Sequence, residues 1–216
     1  MGIAGRIIGL FQGYNWLIIP AAFFAIVLHE VSHGAVALLL GDTTAKECGR
    51  LSLNPIRHLD IFGLLCMIIF GFGWAKPVPV NPRNFKNRKL GMAVVALAGP
   101  VSNIILALIA LLLMGITLKF CPNSTVSNLI VNFLYVFALL DIGLAVFNFI
   151  PVPPLDGSKI LAAFIPDRAY GQILKYERYG MLILFVLINI PEFSAILGYA
   201  QRGIFELMLN IAYKIM

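Results

Sequence analysis

The chain has 216 residues, 60% of them hydrophobic and 12% charged, with a mean hydropathy of +0.92. A soluble domain is typically about 45–50% apolar and about 25% charged, so this composition excludes one and points to a membrane protein. The net charge of +6 does not indicate nucleic acid, because the sixteen Lys and Arg sit in short connections between apolar runs, where they act as topology determinants beside lipid headgroups.

The length suits a single bundle over 1–216 and leaves no room for a bundle plus a soluble domain of ordinary size. Cys48, Cys66 and Cys121 are odd in number and form no C-x-x-C pair, which argues against a disulfide framework and a thiolate zinc site. Residues 7–28 carry no charge and the apolar pattern continues to Leu40. A signal-peptide h-region is only about 7–15 residues, so the segment reads as an uncleaved anchor.

The first apolar segment, from about Asn15 to Leu40, can cross a ~30 Å hydrocarbon core at ~1.5 Å per residue and ends at Gly41-Asp42. Residues 61–73 are apolar but short and carry three glycines, favouring a re-entrant or buried segment over a lipid-exposed crossing. A second span is expected over Leu90 to Leu118, a third over Ser127 to Ile150, and a fourth over Tyr179 to Ile190, extended back to Gly171. From Glu192 onward apolar and charged residues mix, as in an interfacial helix or a weak fifth span. If 61–73 returns to the side it came from, connections 41–89 and 151–178 share one compartment and hold twelve of the sixteen basic residues. The positive-inside rule makes that compartment the cytoplasm. The expected fold is an all-α polytopic membrane protein of about four to six transmembrane helices, with a re-entrant segment and a small β-like loop region. Its core covers 15–160, and a last span and amphipathic tail cover 170–216.

His29-Glu30-Val31-Ser32-His33 is H-E-x-x-H. On a helix the i, i+4 spacing stacks both imidazoles on one face, where they can bind a single tetrahedral Zn2+. Glu30 lies about 100° around from His29, within reach of an activated water. An ionised carboxylate near the middle of a span costs roughly 2.5–3.5 kcal/mol on insertion scales, and such residues mark functional sites. Catalytic zinc wants a third protein ligand and an open position. Asp156 and Asp141 are the candidates at plausible depth. The prolines of Pro151-Val-Pro-Pro-Leu-Asp156-Gly157 end the helix and favour Asp156, whereas Asp141 reads more simply as an interhelical hydrogen-bonding residue. Spacing alone leaves both open. Asn103, in the second span, suits either a ligand- or substrate-orienting role or a plain bond across helices.

Five stretches in order, HEVSH at 29–33, LNPIRHLD at 53–60, GWAKPVPVNPRNF at 73–85, LAGPVSN at 97–103 and NFIPVPPLDG at 148–157, resemble the site-2 protease family of intramembrane zinc metalloproteases, and in particular its short members. The likeness covers about residues 20–160. It implies His29, His33 and Asp156 as zinc ligands, Glu30 as catalytic base, and cytoplasm-proximal cleavage of a transmembrane protein substrate. It also implies that Asn148 helps hold substrate or catalytic geometry. The PDZ insertion or CBS pair of many relatives is not represented in these 216 residues. A metal-ion transporter or a non-catalytic zinc-binding scaffold would also place His, Glu and Asp in spans. A transporter, however, distributes polar residues along a path and commonly repeats its architecture, and here they cluster at one depth without a repeat. The Val78-Pro-Val80 stretch is a further candidate, as an edge that pairs with extended substrate.

Overall fold

The computed structural model describes residues 14–60, 62, 63, 66, 75–121, 124–166, 169 and 177–215. The segment expected to re-enter, 61–73, lies outside them apart from Phe62, Gly63 and Cys66.

A 3₁₀ turn at Asn15–Leu17 leads into α1, Ile18–Leu39. Its end is a Schellman motif: the Asp42 N–H bonds the Ala37 carbonyl at 2.9 Å and the Gly41 N–H bonds that of Leu38 at 3.0 Å. Gly41 supplies the required left-handed conformation, with φ of 98°. The short α2, Thr44–Glu47, follows. The side chains of Asn87 and Ser124 accept from Leu90 N and Ser127 N and so cap α3, Arg88–Phe120, and α4, Thr125–Asn148. After α5, Asp156–Ala162, come α6, Glu177–Ile188, and α7, Pro191–Ile215.

Helices α1, α3 and α4 are each long and apolar enough to cross a membrane. The fourth expected span and the mixed tail turn out to be joined: α6 and α7 form one pair bent by 85°, which meets the same criterion when taken as a single span. The described residues therefore hold up to four spans. Large apolar side chains such as Phe24, Ile105, Leu113, Val186 and Tyr199 point outward, as a lipid-facing surface requires. The interior instead is built on small residues. Ala21, Ala25, Ala107, Ala110, Ala138 and Ala212 pack with Leu111, Phe137 and Ile142, letting backbones approach where lipid offers no hydrophobic contrast to drive association. Helix α3 is the central element, packing most extensively on α4 and next on α1.

The described residues form no strand ladder. The β-like loop is met at 75–81 as a connection without regular secondary structure. Arg50 Nη2 donates to the carbonyls of Lys76 (2.6 Å) and Pro77 (3.2 Å), and the Lys76 N–H bonds the His58 carbonyl at 2.9 Å. Asp42 anchors the far end by accepting from Asn81 N at 2.7 Å and Asn84 Nδ2 at 2.6 Å. The end of α1 is thereby tied to the entrance of α3.

Candidate metal centre

One turn of α1 carries both His29 and His33, with ring centroids 4.6 Å apart and planes at 89°. Each ring is propped on α3 by Nδ1: His29 donates to Asn103 Oδ1 and His33 to the Val95 carbonyl, both at 2.7 Å. With the protons on Nδ1, both Nε2 atoms present lone pairs, as metal ligation requires. They face each other at 3.1 Å. Asp156 Oδ2 lies 3.2 Å from His29 Nε2 and 3.0 Å from His33 Nε2. All three side chains are buried.

Three acceptors aimed at one point without a proton between them repel unless a cation sits among them. Two imidazole nitrogens and a carboxylate oxygen are a zinc donor set, and ligand atoms about 2.0–2.1 Å from a tetrahedral ion lie about 3.3 Å apart. The observed separations of 3.0–3.2 Å match that edge closely. Among the described residues, His29, His33 and Asp156 are the group of His, Cys, Asp and Glu whose donor atoms converge in this way.

Backbone without a Cβ makes the convergence possible. A Cβ at Gly99 would stand 2.5 Å from His29 Cε1 and from His33 Cε1 and Nε2. Gly99 is thus the seat on which both imidazoles rest, one turn beyond Val95. The following Pro100 has no N–H for the Ala96 carbonyl and eases the ladder locally. A Cβ at Gly157 would stand 2.4 Å from the Phe149 carbonyl oxygen, so that glycine lets α5 press against the end of α4 and carry Asp156 inward.

Glu30 accepts from the Val78 backbone N–H at 2.8 Å. It shares with the histidines and Asp156 a cavity of about 560 Å³, also lined by Val78, Asn148 and Lys159. Lys159 Nζ lies 3.3 Å from Asp156 Oδ1, the oxygen turned away from the histidines.

The other sequence candidates fall into place around this centre. Asp141 does not join the three converging donors; it accepts from Asn103 Nδ2 across the α3–α4 interface, the simpler of its two readings. Asn103 bridges helices and also holds a histidine. Asn148 lines the cavity while its Nδ2 bonds the Leu144 carbonyl of its own helix at 3.0 Å. Apart from these candidates, His58 of the 53–60 stretch bonds the Ser52 carbonyl at 2.8 Å. The Val95 carbonyl, the Val78 N–H and Lys159 were not foreseen. Backbone groups leave no sequence signal, whereas the glycine one turn after Val95 and the lysine three residues after Asp156 were legible hints.

The Peptidase family M50 model matches residues 115–190. The chain is 40% identical over 172 residues to YwhC of Bacillus subtilis, named as a candidate zinc metalloprotease, with 79% of this chain and 78% of that one covered. Rip2 of Mycolicibacterium smegmatis and Rip2 of Mycobacterium tuberculosis, named likewise, are each 28% identical. Coverage is 92% of this chain and 73% of the relative for the first, and 85% and 71% for the second. No solved structure matches the chain. Identity and coverage of this order, on a multi-pass bundle enclosing a zinc donor set, make this chain a zinc metalloprotease of peptidase family M50, the site-2 protease family.

Proposed function

We propose that the protein hydrolyses a peptide bond within or beside a transmembrane segment of another membrane protein, with His29, His33 and Asp156 holding zinc and Glu30 as general base. The observation that carries this reading is the convergence of the three donor atoms within 4.8 Å of one another, two of them on a membrane-spanning helix, with Glu30 on the wall of the same cavity.

Zinc, when bound, supplies a Lewis acid that polarises a carbonyl and brings the pKa of water toward ~7. Glu30 takes the proton of the attacking water and returns it to the departing amine. The Val78 N–H steadies one carboxylate oxygen of Glu30, Oε2, on the cavity wall. Asn148 lines the same cavity and in this reading contacts the unwound substrate backbone. Substrate has to arrive extended, since a helix hides its carbonyls in its own hydrogen bonds. The basic loops 41–60 and 75–89 adjoin the metal end of the bundle, and by the positive-inside rule the site opens toward the cytoplasmic leaflet.

The test is co-expression with tagged single-span membrane proteins. Wild type should cleave a subset of them, and Glu30→Gln should bind zinc at wild-type stoichiometry while cleaving none. A transporter or scaffold would give no cleavage from either protein, and retained cleavage by Glu30→Gln would remove Glu30 from the role of base.

A further inference from the structure

We infer that Asp141 is a positioning residue for the metal centre: through Asn103 it selects the tautomer in which His29 offers Nε2 to zinc. This rests on the assignment of His29 as a ligand.

An Asn amide has an acceptor end and a donor end of nearly equal shape, and either can face a neighbour. Asn103 is fully buried on α3 between His29 of α1 and Asp141 of α4. If its NH2 faced His29, it would donate to Nδ1, leave the ring proton on Nε2 and block the ligating lone pair. If Oδ1 faces His29, Nδ1 must carry the proton and Nε2 is free. Asp141 decides between the two. Its Oδ1 accepts from Asn103 Nδ2, and that bond turns Asn103 Oδ1 to His29 Nδ1 at 2.7 Å. His33 needs no such device, because the Val95 carbonyl that receives its Nδ1 has no donor end.

The burial of Asp141 is otherwise costly. It is 0% exposed in a membrane-spanning helix, and its Oδ2 has no hydrogen-bond partner among the described residues. A neutral apolar residue would satisfy the α3–α4 packing at lower cost. What the carboxylate adds is an acceptor aimed at the one donor whose orientation fixes the ligand.

The experiment measures zinc affinity of the full-length protein in detergent, by competition with a chromogenic chelator, alongside thermal melting of the metal-free protein. Asp141→Leu should lower affinity by about 10- to 100-fold, the range for loss of an outer partner of a ligating histidine. Asp141→Asn, whose amide can accept from Asn103 Nδ2 or donate to its Oδ1, selects less sharply and should fall between wild type and Asp141→Leu. Asn103→Leu should match the loss, and Asn103→Leu with Asp141→Leu should be no weaker than Asn103→Leu alone, since Asp141 acts only through Asn103. Asp141→Ser replaces Asp141→Leu if the latter does not accumulate in membranes. Wild-type affinity in Asp141→Leu or Asp141→Ser, an Asp141→Asn loss larger than theirs, or losses that multiply in the double variant would each overturn the inference. His29→Ala separates the two levels. If it leaves zinc affinity unchanged, the ligand assignment itself fails; if it abolishes binding while Asp141→Leu keeps wild-type affinity, only the positioning role fails.

Discussion

Val78 donates its backbone N–H to Glu30 Oε2 at 2.8 Å, and its neighbours Pro77 and Pro79 have no N–H to offer. The single donor of that tripeptide is therefore spent on the carboxylate proposed as base, inside the protein. The segment is held from behind by Arg50 on the carbonyls of Lys76 and Pro77. Substrate pairing along the Val78–Val80 edge would fall to the remaining groups of that edge, beginning with the Val78 carbonyl.

Val78→Pro removes the donor. A hydrogen bond to a charged group is worth about 1.5–3 kcal/mol, so cleavage should fall roughly ten- to a hundredfold with zinc content unchanged. Val78→Ala keeps the N–H and should cleave nearly as wild type. Turnover of a tagged substrate with parallel zinc analysis reads both, and equal activity of the two variants would show that the contact does not orient Glu30.

Gly99→Ala places a methyl 2.5 Å from both imidazoles. The neighbours are ring atoms pinned by their own hydrogen bonds, so the histidines must be displaced. Zinc stoichiometry should drop well below one per chain, and cleavage should be lost with it. The bundle should still assemble in membranes, because the clash is confined to the centre. Normal zinc content in this variant would contradict the seating of both rings on α3.

Lys159 touches the oxygen of Asp156 turned away from the histidines, but its side chain is 38% exposed. Solvent screens such a pair to about 1 kcal/mol or less. Lys159→Met should therefore weaken zinc binding by no more than about fivefold, whereas Asp156→Ala should abolish it. Chelator competition on the two variants distinguishes an accessory contact from a ligand.

Asp42 lies just beyond α1, outside the spans. Burial works against its charged form, but hydrogen bonds from the Thr44 hydroxyl and N–H, Asn81 N–H and Asn84 amide outweigh it and hold its carboxyl below the usual range. A depressed folded-state pKa stabilises above the unfolded value of ~3.9, and that stability is lost as pH falls through the folded pKa. The melting temperature of wild type should exceed that of Asp42→Asn at neutral pH, and the gap should close on acidification. A gap independent of pH would mean that the Asp42 charge contributes nothing.

Much of this arrangement was legible beforehand because it is written in local spacing. Apolar runs located α1, α3 and α4 to within a few residues, since length against bilayer thickness is a one-dimensional constraint. The i, i+4 pair of His29 and His33 put two donors on one face before any contact was known. Asp156 over Asp141 could be favoured, but spacing could not decide it, because both lie far from His29 in sequence and only packing against α3 tells them apart. The bend between α6 and α7 was hidden for a different reason. The apolar pattern continues across Asn189 to Pro191, and the proline is compatible with a first helical turn as much as with a break. Asp42 marks the end of the first apolar segment, and nothing in a linear reading gathers Asn81 and Asn84 onto it.

The seat at Gly99 has a consequence for transplanting this chemistry. Helix α3 gives no donor atom, yet it dictates where both imidazoles stand and which nitrogen each keeps bare. Copying the His-Glu-x-x-His turn into another hydrophobic hairpin would reproduce the visible half of the centre only. Without a notched second helix at the same height, the grafted rings would be free to rotate, and the cation would find a loose pair of bases in place of a rigid cradle.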